Sequence, residues 1–154
     1  RNKNMWNVED FDIKKNSING EWLQLVNPKT GEDLVIEVDG KEVKSRVKML
    51  GVKSKEGIKA KADAERSYRE HEAKLKRLEK ANKSYLPTDE EIESSERKDI
   101  EYCKAMVIDW EGMPDGKGGA AKFSEKEKDR IFAVDGIRSQ LITFSLNALN
   151  FIKS

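Results

Sequence analysis

The sequence predicts an α+β fold: an N-terminal three-stranded antiparallel meander followed by a mainly α-helical part of about four helices. Three observations carry that prediction. Just after the hairpin dipeptide Asp39-Gly40, Val43, Ser45, Val47 and Met49 alternate with Lys44, Arg46 and Lys48, the signature of a strand with one wet face. Ile100, Cys103, Val107 and Trp110 recur at 3-4-3 spacing, the period of one helical face. Thr88-Asp89-Glu90-Glu91 and Ser124-x-x-Glu127 are capping signals that open helices. The 154 residues read as a single domain: an irregular segment 1–20, a meander 21–51 and a helical part 54–154.

Taken in order, the first twenty residues are polar apart from Phe11 and Ile13. Glu21 to Val26 reads as the first strand, Asn27 to Gly31 as a turn, Leu34 to Val38 as the second strand and Val43 to Met49 as the third. Leu50-Gly51 ends the sheet. Ser54 starts a long helix to about Asn82, whose apolar seam is narrow: Ala64, Tyr68, His71, Leu75 and Leu78 at 4-3-4-3 spacing. Pro87 forbids continuation, and the next helix is expected from Thr88 to about Trp110, where Gly112 and a Gly-rich loop break it. After Ser124, with Phe123 in the place of a hydrophobic staple, the final helical stretch presents Ile137, Leu141, Phe144, Ala148 and Phe151 on one face. Ile142, Leu149 and Ile152 lie on an adjacent one. Trp110 is expected to be buried against this last helix through Phe144 or Leu141.

Composition narrows the class. Hydrophobic residues make up 36% and charged residues 38%, with a mean hydropathy of −0.80. That balance suits long solvated helices or an assembly subunit better than a large monomeric core. No stretch approaches the roughly 20 apolar residues of a membrane span, and no signal-peptide pattern opens the sequence. The single Cys103 rules out a disulfide framework and fits a reducing, cytosolic setting. The net charge of +1 hides an asymmetry. Lys41 to Lys83 holds 15 basic and 7 acidic residues, whereas Ser84 to Lys104 holds 3 basic and 7 acidic, so two neighbouring helices of opposite sign can pair.

No constellation carries enzyme chemistry. His71 is the only histidine and sits in a charged helix, where a seam or surface role is the default. Cys103 lies on an apolar face as a small hydrophobe. Gly116-Lys117-Gly118-Gly119 lacks the spacing of a phosphate-binding loop and reads as a flexible connection. No cofactor or metal is expected. The basic strand face and the helix across 41–83 invite a nucleic-acid-binding reading, but Asp63, Glu65, Glu70, Glu72 and Glu79 interrupt the cations and aromatics are sparse. A structural virion subunit is a further alternative.

The order of motifs resembles the tail assembly chaperones of long-tailed bacteriophages. The resemblance is carried by Asp10-Phe11-Asp12-Ile13, Gly20-Glu21-Trp22-Leu23-Gln24-Leu25, Asn27-Pro28-Lys29-Thr30-Gly31-Glu32, Leu50-Gly51, Trp110-Glu111-Gly112, Phe123-Ser124 and Asn150-Phe151, in succession over nearly the whole chain. The long Lys/Glu helix and the Gly-rich insertion after Trp110 fit least. The resemblance implies a non-enzymatic chaperone in the cytoplasm of the bacterial host, absent from the mature virion. It would coat the tape measure protein, keep it soluble and recruit tail tube protein. It also implies that a longer, frameshifted form can accompany the short one. A binder of a long apolar helical client needs apolar helical faces and a charged exterior. Tyr68, Leu75, Leu78, Trp110, Glu111, Gly112, Ile142, Leu149, Phe151 and Ile152 are the candidate partner-binding or homo-oligomer residues, with no membrane partner and nucleic acid disfavoured.

Overall fold

The computed structural model describes residues 5–153; residues 1–4, part of the segment expected to be irregular, and Ser154 lie outside them. The fold is α+β, with five α-helices and two small antiparallel sheets among the described residues.

The segment before the first strand is ordered, which corrects the irregular reading of residues 5–20. A 3₁₀ turn at Val8–Phe11 leads into α1 (Ile13–Asn19), capped by the Asp12 carboxylate accepting from the Lys15 N–H at 3.0 Å. The helix was hidden because its buried face is polar. Asn16 and Ser17 are buried while Ile18 is exposed, so apolar periodicity gives no signal. Asn16 Nδ2 donates to the Phe151 carbonyl at 2.7 Å, and the Lys153 N–H donates to the Asp10 carbonyl at 2.8 Å. Both chain ends are thereby joined.

The strands do not form a simple meander. β2 (Val35–Val38) and β3 (Lys41–Lys44) make a hairpin of their own, closed by Asp39 and Gly40 at φ 52° and 76°, as a two-residue turn of this kind requires. The expected third strand breaks at Ser45, and β4 (Arg46–Met49) crosses to a different sheet, with order β1 (Glu21–Gln24), β4, β5 (Val107–Glu111). Ser45 is the joint. Its N–H donates to the Leu34 carbonyl, its carbonyl accepts from the Leu25 N–H, and its Oγ donates to the Gly112 carbonyl at 2.6 Å.

α2 (Lys55–Lys80) starts on Ser54, whose Oγ accepts from the Gly57 N–H at 3.0 Å, and ends close to the expected boundary. α3 (Asp89–Met106) opens on Thr88 as the capping signal predicts, but stops before Val107. The residues expected to finish that helix form β5 instead. The misreading has a specific cause. Lys48 faces Asp109 and Met49 faces Val107, so Ile108 is skipped as a bulge. Without the bulge, residues three apart on a strand would point to opposite faces. With it, Val107 and Trp110 are both buried, and a strand acquires the three-residue spacing of a helix.

The final stretch is three pieces, not one helix: α4 (Glu125–Phe132), α5 (Asp135–Leu146) and a 3₁₀ turn at Ala148–Phe151. Ser124 caps α4 through its Oγ and the Glu127 N–H. The staple position is altered: Phe123 meets Lys128, whose ammonium sits 4.4 Å from the ring centroid. The core lies between the β4–β5 inner face and helices α3 to α5, built from Val47, Met49, Cys103, Met106, Trp110, Phe132 and Leu141. Trp110 is buried as expected, but its ring partners are Phe123 at 4.8 Å and Phe132 at 6.1 Å. Phe144 packs on Phe151 instead.

Candidate functional site

An apolar cleft of about 250 Å³ opens between the β2–β3 hairpin side of the fold and helices α4 and α5. Leu25, Leu34, Val35 and Ile36 line one wall, Met113 and Pro114 the floor, and Ile131, Val134 and Ile137 the other wall; Arg130 is the one charged residue at the rim. Two local features hold the floor in place. Gly112, at φ 66°, lets the backbone pass so close to β3 that a Cβ there would lie 2.2 Å from the Lys44 carbonyl oxygen. The Gly-rich loop is then folded rather than loose: Pro114 bridges Ala120, and the Asp115 carboxylate accepts from the Lys117 and Gly119 N–H groups at 2.6 and 3.0 Å. Those N–H groups hold the Asp115 pKa below its ordinary value. A carboxylate occupies the place an anion would need, so the loop is no phosphate cradle. Arg130 closes the rim, donating to the Pro114 carbonyl at 2.5 Å and to Glu127 at 2.7 Å.

The sequence-derived candidates fall into separate places. Trp110, Gly112 and Phe151 are buried and build the fold, leaving no side-chain surface for a partner. Trp110 Nε1 donates to the Ala121 carbonyl at 3.0 Å, which fixes the strand leading to the cleft floor. Glu111 pairs with Arg46 across the outer sheet face. Ile142, Ile152 and Leu78 are half-buried, whereas Leu149, Tyr68 and Leu75 are exposed. Tyr68, Leu75 and Leu78 lie on α2, and Leu149 lies in the C-terminal 3₁₀ turn, so the structure does not gather them into one patch.

A second apolar feature lies near the joined chain ends, where Trp6 and Phe11 stack edge to face at 5.7 Å while 66% and 54% exposed. Sequence reading missed both this pair and the cleft. The cleft is assembled from separate stretches of the chain, and although the sequence puts Leu34, Ile36 and Ile137 each on an apolar face, nothing in it brings those faces together.

The basic strand face is largely matched. Arg46 stacks over Trp22 at 4.8 Å besides pairing with Glu111, and Lys48 faces Asp109 across the ladder. The carboxylate on Arg46 comes from β5, most of which the sequence reading took for helix, and the one on Lys44 is Asp33 at 3.6 Å. Cys103 is fully enclosed, and burial pushes its thiol up to about 12, the behaviour of a core residue and not of a nucleophile. Among the described residues no group of three His, Cys, Asp or Glu is placed to hold a metal ion, and no helix is long and apolar enough to cross a membrane. No family model, curated protein or solved structure matches the chain.

Proposed function

We propose that this chain is a non-enzymatic tail assembly chaperone. It binds the tape measure protein in the cytoplasm of the bacterial host, keeps it soluble, recruits tail tube subunits and leaves before the virion is complete. The observation that carries the reading is the open cleft with nine apolar lining residues and a single cation at its rim. Such a site grips apolar side chains of a segment with little demand on its polar groups, as a protein that must hold a long, repetitive client requires. The motif order described above supplies the identity of the client. The charged exterior keeps the complex dispersed.

The test is co-expression with fragments of a tape measure protein. The fragment is expected to stay soluble and to co-purify with the wild-type chain at physiological salt, and to be lost when Ile137 is replaced by Asp in a chain that still melts cooperatively. A chain that instead shifts labelled DNA, with an affinity falling steeply as salt rises, and leaves the fragment insoluble is a nucleic-acid binder.

A further inference from the structure

The β2–β3 hairpin has a free edge on β2, and that strand borders the cleft through Val35 and Ile36. The two-residue turn at Asp39-Gly40 makes Val38 and Lys41 a pair that exchanges backbone hydrogen bonds. Bonded and unbonded pairs alternate along an antiparallel ladder, so Ile36 and Val38 turn their N–H and C=O groups towards β3. The Ser45 N–H, donating to the Leu34 carbonyl at 2.9 Å, keeps the same phase. The backbone groups of Val35 and Glu37 therefore point away from β3. Both residues are exposed, and among the described residues nothing meets those groups. The opposite edge of the hairpin is blocked, because Gly112 packs against the Lys44 carbonyl. A strand edge with free donors and acceptors is a template for a further strand.

The side chains along this edge fix the chemistry of what can be added to it. Leu34 and Ile36, on one face of β2, are half-buried and line the cleft with Ile131, Val134 and Ile137. Val35 and Glu37 lie on the other face. Residues directly opposite each other in an antiparallel pair share a face. Every second residue of an added strand therefore falls on the side of the cleft, where an apolar side chain fits. The residues between fall beside Val35 and Glu37. From Glu32 to Asp39 the chain carries four carboxylates and no cation. Asp33 is met by Lys44 at 3.6 Å, whereas Glu37 has no ion-pair partner among the described residues. A cation in the added strand is favoured there. The β2 edge of a second copy is not, because it would set like charges against each other.

We infer that the client is held as an extended segment added antiparallel to β2. Its apolar side chains enter the cleft at alternate positions, and lysine or arginine occupies the positions between. Every strand pair in the two sheets is antiparallel, the arrangement with the stronger hydrogen bonding. The backbone bonds at Val35 and Glu37 give affinity that any sequence can use, while the cleft and the Glu37 carboxylate select the pattern. This form of binding rests on the cleft being the client site. It adds that the bound segment is a strand, so the client is not helical where it is gripped.

The probe is a short end-capped peptide alternating lysine and valine, made unmodified, N-methylated at its lysines, and N-methylated at its valines. With valines in the cleft of an antiparallel addition, the lysine amides face β2 and the valine amides face solvent. Titration at low salt is expected to show binding of the unmodified and valine-methylated forms, and at least about tenfold weaker binding of the lysine-methylated form. Hydrogen exchange should slow at the Val35 and Glu37 amides when the unmodified peptide binds. Glu37→Lys, a change at an exposed side chain, should weaken binding about fivefold at low salt. No binding of the unmodified peptide, full binding of the lysine-methylated form, or equal loss with both methylated forms overturns the added strand. If Ile137→Asp then still loses the tape measure fragment, the cleft stands and only the strand falls; a fragment that this variant retains removes both.

Discussion

The Lys44 carbonyl oxygen stands where the Cβ of any other residue at Gly112 would have to go, at 2.2 Å. This contact joins the hairpin strand β3 to the end of β5, and the Ser45 hydroxyl fastens it from the other side. Gly112→Ala would meet both a positive φ and a backbone clash, which no side-chain movement relieves. The expected loss is about 3 kcal/mol or more, read from urea or thermal unfolding. A melting temperature equal to wild type would mean that the two strands are not held at this distance.

Trp110 serves the same region from inside. Truncation to Ala removes its packing on Phe123 and Phe132 together with the hydrogen bond to Ala121, at an expected cost of about 3–5 kcal/mol. Trp110→Phe keeps much of the packing and loses the N–H donor, so it should fall clearly short of that cost. Equal losses for the two variants would locate the stabilisation in the indole N–H alone.

Cys103 gives a prediction in pH. Its thiol rises from 9.0 in the unfolded chain to about 12 in the fold, because burial disfavours the thiolate. Below pH 9 both states hold the proton and the group is neutral to stability. Above it the unfolded chain releases a proton that the folded chain keeps, and stability declines by up to about 1.4 kcal/mol per pH unit until the folded thiol also ionises. Unfolding of the wild type should therefore steepen with pH above 9 relative to Cys103→Ala. At neutral pH iodoacetamide should label Cys103 only once urea has opened the protein.

Val134 separates stability from binding. It occupies the N-cap position of α5 without a side-chain hydrogen bond, and its exposed side chain lines the cleft. Val134→Asp supplies the missing acceptor, for an expected gain of about 0.5–1 kcal/mol, while placing a carboxylate against an apolar wall. The variant should melt higher than wild type and retain less of the tape measure fragment. A variant that binds the fragment as well as wild type would remove the cleft from the site.

The parts of this fold legible in the sequence were those decided within a few residues. Ser54, Thr88 and Ser124 each cap the helix they announce, and Asp39-Gly40 turns the hairpin it promises. Decisions made at a distance were not legible. The bulge at Ile108 gave β5 a helical spacing, and only its pairing with β4 shows otherwise. Ser45 alternates perfectly with its neighbours, yet the chain changes sheets there because Leu25, Leu34 and Gly112 claim its polar groups. α1 was missed because Asn16 is buried to satisfy the Phe151 carbonyl, 135 residues away. The cleft, drawn from several separate stretches, was out of reach for the same reason.

That last bond also sets an order of events during synthesis. α1 leaves the ribosome long before Phe151, the residue 135 positions further on whose carbonyl its Asn16 needs. The three-stranded sheet likewise waits for β5 before β4 has both neighbours. Until Phe151 emerges, a nascent chain therefore carries its first helix undocked, with Asn16 satisfied only by water.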